Sequence, residues 1–143
     1  MGLLRLVQET PEVAPEVSVA EAVAIMTTRR VGAVAVTRGR KILGVFTERD
    51  LMRRVVFEMR DPAATLIKDV MTSPARTVPE SVSVEEAAAV MRKSHFRHLA
   101  VVDKDGNLLG LVGLRYLLYE MLEELERKVG GLHGDLMVDG PGG

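Results

Sequence analysis

The hydrophobic and polar positions of this chain follow one pattern twice. Residues 17–22 (VSVAEA) reappear as residues 82–87 (VSVEEA), and the segments 17–36 and 82–101, which lie 65 positions apart, are identical at nine of twenty positions. Self-similarity at a fixed spacing is typical of a repeated structural unit. The pattern therefore predicts two copies of one unit, each of roughly 60 residues.

Each copy predicts the element order β-α-β-β-α. An extended segment (7–13 or 77–79) leads to Ser18 or Ser83, and each serine precedes a glutamate by three residues, which is the spacing of a helix capping box. Apolar residues at helical spacing follow each serine and predict the first helix. The remaining predicted elements are strands 31–37 and 42–46 with helix 48–59 in the first copy, and strands 99–102 and 108–113 with helix 114–128 in the second.

Neither unit can cover its own apolar surface, so the two are expected to pack together. The strands are nearly continuous apolar runs, which is typical of strands buried on both faces. We therefore expect an α/β (α+β) fold of tandem units packed sheet to sheet with pseudo-twofold symmetry. The predicted division is 1–65, 66–129 and a flexible glycine-rich tail at 130–143. A linker at 60–76 joins the two repeats across this boundary, with one short helix predicted at 66–71.

Composition excludes several classes of protein. The net charge of −1 gives no basic field for nucleic acid, and the absence of cysteine excludes disulfides and zinc–thiolate sites. No apolar run approaches the roughly 20 residues of a membrane helix, and residues 1–7 are too short for a signal peptide. A cytoplasmic location is expected. The three histidines are scattered, so the sequence predicts no metal site. It also contains no paired carboxylates at acid–base spacing and no Ser-His-Asp order, so it predicts no enzyme.

Residues 44–50 (GVFTERD) form the stretch with the most suggestive chemistry. Thr47 ends an apolar strand, and Asp50 follows three residues later in the first turn of the next helix. Thr47 is a plausible N-cap and Asp50 suits the positive end of the helix dipole, which is a purely structural interpretation. The same turn could instead present a carboxylate and free N–H groups to a hydroxylated or phosphorylated ligand.

The duplication and its motifs resemble a pair of cystathionine β-synthase (CBS) domains, also called a Bateman module. The motif at 44–50 resembles the family's Gly-h-h-Thr-x-x-Asp, where h is apolar, and residues 69–72 (DVMT) and 99–103 (LAVVD) resemble two further family motifs. The resemblance covers about residues 5–125. It implies clefts between the two units that hold an adenosine-containing ligand such as AMP, ADP, ATP or S-adenosylmethionine.

The resemblance also assigns roles within the first copy. Asp50 would accept from the ribose 2′- and 3′-hydroxyl groups. Thr47 would support the ribose or a phosphate, and Arg49 could reach the phosphates. Asp50→Ala is accordingly expected to weaken binding by roughly tenfold to a hundredfold, while the melting temperature without ligand barely changes.

The second copy would complete the same cleft. Backbone groups near Ala75 and Thr77 could read the adenine edge, and Phe96 could cover the base. Arg97 and His98 match positions where the family often places basic phosphate ligands. Alternatives remain open, because Phe96 could belong to the core, His98 could be a hydrogen-bonded surface residue and Arg97 could be a solvated charge.

The second copy departs from the motif at residues 110–116 (GLVGLRY). Gly113 replaces the threonine and Tyr116 replaces the aspartate, so the ribose carboxylate is missing. We therefore predict one good nucleotide site rather than two, with Tyr116 filling the other cleft or stacking. Arg29 and Arg30 are expected to be solvated, although they could line the same cleft.

The resulting functional expectation is a stand-alone regulatory module that senses an adenosine ligand without catalysis. The alternative is a structural or interaction module that docks a partner enzyme or transporter without sensing nucleotide. Any regulated target is expected to be a separate chain. A homodimer is expected through the apolar face of the last helix, which comprises Leu117, Leu118, Met121, Leu122 and Leu125.

Overall fold

The computed structural model describes residues 3–138 and the side chains as far as Gly130. The first unit contains β1 (Glu12–Val13), α1 (Val19–Arg29), β2 (Ala33–Arg38), β3 (Lys41–Thr47) and α2 (Glu48–Asp50). The second contains β4 (Thr77–Pro79), α3 (Val84–Ser94), β5 (His98–Val102), β6 (Leu108–Gly113) and α4 (Leu114–Val138). The predicted β-α-β-β-α order and its duplication are confirmed.

Each unit forms a small three-stranded sheet with mixed directions. In the first sheet, β1 pairs with β2 in parallel and β2 pairs with β3 antiparallel. The second sheet repeats this arrangement with β4, β5 and β6. Residues 33–37 of β2 are all buried, as the continuous apolar run predicted. Helix α1 connects the two parallel strands of the first sheet, and α3 does so in the second. Parallel strands need a crossover connection, which is usually a helix.

The two first helices begin at the predicted serines. The Ser83 side chain accepts from the Glu86 N–H, and the Glu86 carboxylate accepts from the Ser83 N–H, which completes the capping box of α3. In α1 the Ser18 side chain accepts from the Glu21 N–H, without the reciprocal bond. Both helices end at a left-handed residue, Arg30 or His95, so the chain turns sharply toward the next strand.

Three helical predictions differ from the structure. The helix predicted at 48–59 is α-helical only to Asp50 and continues as a π-helix over Leu51–Val56, where the Phe57 N–H donates to the Met52 carbonyl. The linker helix predicted at 66–71 is a single 3-10 turn, Ile67–Asp69. Helix α4 runs to Val138 rather than ending at 128, so it includes part of the predicted tail, and residues 139–143 lie outside the described residues. In the described residues, no helix is long and apolar enough to cross a membrane.

The core consists of one cluster in each unit and a third between the sheets. The third cluster contains small and branched residues from both sheets, including Ala35 and Val45 from the first unit and Ala100 and Leu111 from the second. The predicted packing of sheet against sheet is therefore confirmed. Leu117, which the sequence placed on a free dimer face, is instead fully buried in the second unit's core, because it faces β5 and α3 at the start of α4.

Each unit is completed by a segment from outside its own repeat. The 3-10 turn Leu3–Leu6 precedes the first unit, yet Leu3 is fully buried in the core of the second. Conversely, Ile67 and Val70 follow the first unit and are buried in its core. The N-terminal turn is also fixed by Arg5, whose guanidinium donates to both carboxylate oxygens of the buried Glu120 at 2.7 and 2.6 Å.

Two glycines allow these outside segments to lie directly on the sheets. Thr72 forms an antiparallel bridge with Val45 of β3, and Gln8 forms one with Leu111 at the equivalent position of β6. A Cβ on Gly44 would lie 2.7 Å from the Thr72 carbonyl oxygen, and one on Gly110 would lie 2.7 Å from that of Gln8. The glycine of each motif is therefore required by close backbone approach.

Candidate functional site

The turn from β3 into α2 is held by a compact hydrogen-bonded ring. The Asp50 N–H donates to Thr47 Oγ1 at 3.2 Å, and the Thr47 N–H donates to Asp50 Oδ2 at 3.0 Å. The Thr47 hydroxyl also donates to Asp50 Oδ2 at 3.1 Å. The Thr-x-x-Asp spacing thus forms a capping box. The interpretation of Thr47 as an N-cap is therefore confirmed.

The carboxylate of Asp50 has a further partner from the linker. The Thr72 hydroxyl donates to Asp50 Oδ1 at 3.0 Å, and Arg54 Nε lies 3.7 Å from the same oxygen. Asp50 is only 5% exposed. A carboxylate has about four lone-pair directions, so the three protein hydrogen bonds leave about one direction for a ligand.

A large cleft of about 1280 Å³ opens beside this turn. Its walls come from both units, since it reaches from the start of α2 to the start of α4. Seven of the eight predicted ligand residues line it, namely Thr47, Arg49, Asp50, Ala75, Phe96, Arg97 and His98. The structure thus brings the first copy's carboxylate and the second copy's basic segment to one cavity.

Thr77 and Phe96 differ in their setting from the other six predicted residues. Thr77 is absent from the cleft wall because it lies in β4, paired with Ala100 in the second sheet. Phe96 has two roles, since its side chain packs against the second unit's core and also lines the cleft. Its ring is therefore held in place before any ligand arrives.

Several cleft residues were missed by the sequence reasoning. The N-terminal segment contributes Gln8 and Thr10, and the linker contributes Thr72 and Arg76. Thr72 belongs to the DVMT motif, but its contact with Asp50 depends on the linker crossing β3. Arg30 was not missed, since cleft lining was one alternative that the sequence left open for it, and it lines the cleft at the left-handed turn after α1.

The cleft is predominantly basic. Five arginines line it, against the three carboxylates of Glu9, Glu48 and Asp50. The arginines are Arg30, Arg49, Arg76, Arg97 and Arg115. Guanidinium groups pair well with phosphate oxygens, so this balance favours an anionic ligand. Such a local basic surface could not be seen in the overall charge of −1.

Three of these charged groups act on the imidazole of His98. Burial lowers the pKa of its imidazole, and the nearby Arg97 lowers it further, while the Glu48 and Asp50 carboxylates act in the opposite direction. The net pKa is below its usual value because burial is the largest influence. His98 is therefore mainly neutral at pH 7 in the free protein.

The second copy's motif end lies in the same cavity. Gly113 and Tyr116 both line it, but Tyr116 is 45% exposed, so its ring does not fill the space. The Leu114 N–H donates to the Arg97 carbonyl at 2.8 Å, as the Glu48 N–H donates to the Gly32 carbonyl in the first copy, but Gly113 offers no side chain to cap the helix. This end therefore lacks both the hydroxyl and the carboxylate of the first copy.

Comparison with known proteins decides the family. The family model described as CBS domain matches residues 8–56 and 67–123, one match for each unit. This chain belongs to the CBS-domain family. The two CBS units form a CBS pair, or Bateman module, and the resemblance seen in the sequence is confirmed.

Solved CBS structures share the whole arrangement. A putative signal-transduction protein with CBS domains from Burkholderia ambifaria has 30% identity and a TM-score of 0.79, covering 86% of this chain and 95% of that chain. The CBS domain protein PAE2072 from Pyrobaculum aerophilum, which was solved complexed with AMP, has 28% identity and a TM-score of 0.78. That comparison covers 88% of this chain and 97% of the other.

Some CBS relatives are much longer. The CBS domain-containing protein CBSCBSPB3 of Arabidopsis thaliana is 30% identical over 121 residues, which is 85% of this chain but 22% of the plant protein. An uncharacterized protein of Methanopyrus kandleri is 34% identical over 92 residues, and the match spans 47% of its length. This chain therefore spans less than half the length of either relative.

Proposed function

We propose that this CBS pair is a non-catalytic regulatory module that binds an adenine nucleotide in the cleft between its units. The observation that carries the proposal is the meeting of Asp50 and Thr47 with Phe96, Arg97 and His98 in one cavity. A carboxylate suits a ribose, an aromatic ring suits a base, and guanidinium groups suit a phosphate. This set supports a nucleotide better than a purely apolar ligand.

A solved relative supports the choice of adenosine. PAE2072 is 28% identical and was solved complexed with AMP. AMP is therefore the first ligand to test, and ADP, ATP and S-adenosylmethionine remain candidates for the same cleft. The five arginines at its walls favour the phosphorylated members of this set.

The ribose would have to compete with internal hydrogen bonds. Because Asp50 has about one free acceptor direction, it can accept one ribose hydroxyl without rearrangement. Accepting both requires the Thr72 hydroxyl to release Oδ1, from which it now lies 3.0 Å. Thr72 belongs to the linker, so nucleotide binding would alter the contact between the linker and the first unit.

Such a change is how a ligand could act without chemistry. A ligand shifts a protein between two states only through different affinity for each. A nucleotide that draws Asp50 away from Thr72 would favour a different linker position. We propose that a target, either a separate chain or a segment fused to the CBS pair, responds to that position.

A homodimer forms part of the proposal. Helix α4 exposes a row of apolar side chains at helical spacing, whose members are Leu118, Met121, Leu122 and Leu125. A second copy placed on this row would bury it.

Thermal melting with AMP, ADP, ATP and S-adenosylmethionine tests the proposal. A ligand at about a hundred times its Kd should raise the unfolding free energy by about 2.7 kcal/mol. Asp50→Ala should reduce this increment, whereas Thr77→Ala should leave it unchanged because Thr77 lies outside the cleft wall. No stabilisation by any of the four compounds would contradict the proposal.

One observation favours a second candidate, an interaction module without a ligand. Asp50 already has a structural role, and the first unit exposes Phe57 and Met59, which are 83% and 91% accessible. Large exposed apolar groups often mark protein contacts. Capture of a partner that is unaffected by nucleotide, together with unshifted melting, would favour this alternative.

A further inference from the structure

His98 lines the cleft at the start of the second unit's middle strand. It is the first residue of β5, and its ring atoms Cδ2 and Nε2 lie 3.7 Å from the position that a Cβ of Gly113 would occupy. The side chain is half-buried and lines the cleft. No hydrogen bond contributes to the perturbed pKa of its ring, only burial and nearby charges.

Charged and titratable groups face His98 from three elements. Glu48 and Asp50 of α2 favour its protonated form, and Arg97, which directly precedes β5, opposes it. Arg115 and Tyr116, at the start of α4, line the same cavity. Burial outweighs the two carboxylates, so the free protein keeps the ring neutral at pH 7.

A phosphate would reverse this balance. A phosphate monoester carries about −1.5 to −2 charges at pH 7 and offers strong acceptor oxygens. An opposite charge within hydrogen-bonding reach favours the charged form of a titratable group. The carboxylates of Glu48 and Asp50, already nearby, act in the same direction. Together these charges can hold a proton that burial alone excludes.

We propose that His98 takes up a proton when a phosphate-bearing nucleotide enters the cleft, so that binding becomes tighter as the pH falls. This inference rests on the proposed nucleotide-binding function. It makes the CBS pair sensitive to pH as well as to nucleotide.

Isothermal titration calorimetry measures the proton directly. AMP is titrated into the full chain at pH 7 in two buffers of different ionisation enthalpy, and the difference in heat gives the number of protons taken up. We expect a net uptake, and an affinity about two- to fivefold higher at pH 6.5 than at pH 7.5. The phosphate of AMP itself has a pKa near 6, so its entry into a basic cleft releases protons. Proton release by AMP is opposite in sign to the uptake expected of His98, so a net uptake cannot come from the ligand.

Two variants assign the proton to its residue. His98→Gln keeps a polar side chain that cannot titrate, and it should abolish the uptake and flatten the pH dependence. The matched control is His95→Asn at the other cleft histidine, because asparagine tolerates the left-handed backbone at φ 60. His95→Asn should retain the uptake. An NMR titration of the His98 ring, with and without saturating AMP, gives the same answer without any substitution.

The outcomes separate this inference from the function on which it rests. Uptake that persists in His98→Gln, or that disappears in His95→Asn, overturns the assignment to His98. AMP binding without uptake overturns the inference and leaves the proposed function standing. Binding of S-adenosylmethionine but of no phosphorylated compound also overturns the inference and leaves adenosine-ligand binding in the cleft standing. Absence of binding by all four adenosine compounds overturns both.

Discussion

Replacing Asp50 tests whether its carboxylate supports the free protein as well as a ligand. The side chain is 5% exposed and accepts three hydrogen bonds, from the Thr47 N–H, the Thr47 hydroxyl and the Thr72 hydroxyl. Asp50→Ala removes both acceptor oxygens, and with them all three hydrogen bonds, and it leaves the Thr47 N–H and the Thr72 hydroxyl without this partner. Unlike an exposed surface carboxylate, Asp50 should therefore contribute measurably to stability in the absence of nucleotide.

The expected loss can be worked from these contacts. Hydrogen bonds to a charged group contribute about 1.5–3 kcal/mol, with buried unpaired donors adding to the cost. We expect Asp50→Ala to lower the unfolding free energy by about 2–3 kcal/mol. For a domain of this size each kcal/mol corresponds to about 3 °C, so the melting temperature should fall by about 6–9 °C. Urea unfolding and thermal melting without ligand measure both quantities.

A matched variant shows whether the effect is special to this turn. Glu86→Ala breaks the other complete capping box, but Glu86 is exposed and its carboxylate accepts hydrogen bonds from Ser83 alone. It should cost clearly less than Asp50→Ala. Asp50→Asn retains one acceptor oxygen and should lie between Asp50→Ala and the native protein. Equal stability of Asp50→Ala and the native protein would refute the reasoning, since the three hydrogen bonds would then have no net value.

Three further predictions concern stability. Gly44→Ala should cost about 1–3 kcal/mol in urea unfolding, because its Cβ would lie 2.7 Å from a backbone oxygen; Gly130→Ala, where nothing lies within 4 Å, should instead be neutral or stabilising. The lowered pKa of His98 means that the unfolded chain binds the proton more readily, so stability should decline as the pH falls from about 6.5 through the lower folded pKa. Urea unfolding across that range should show a shallower decline in stability for His98→Gln than for the native protein. An equally steep decline in both would contradict the assignment to His98. Arg5→Ala should lower the melting temperature because it leaves the buried Glu120 carboxylate unpaired, and adding Glu120→Gln should recover part of the loss; no recovery would argue against the pair.

The sequence allowed the repeated units and their caps to be predicted because these depend on local pattern. The serine and glutamate spacing before α1 and α3, and the apolar runs of the strands, are visible within a few residues. The Asp50 turn was visible in the same way, but its burial was not. The expectation that Asp50→Ala would leave the free protein's melting temperature unchanged is therefore revised, since the Thr72 contact lies 22 residues away in the chain.

Features that depend on distant contacts were missed or misplaced. Apolar periodicity predicted an α-helix over 48–59, but it does not distinguish α from π winding, which replaces it at Leu51–Val56. The same limit explains Leu117, whose apolar character fits both a dimer face and the core in which it lies. For the cleft, the sequence identified residues on both walls, while Thr77, in the strand predicted at 77–79, lies outside the cleft wall.

The position of Arg5 against Glu120 has a consequence for how the polypeptide reaches its native state. These residues are 115 positions apart, so the segment around Arg5 docks on a helix that is synthesised much later. Contacts of such long range slow folding, because the intervening chain loses freedom before the contact can form. The second CBS unit should therefore mature only once α4 has been synthesised, and removal of residues 1–7 should unfold it before the first unit.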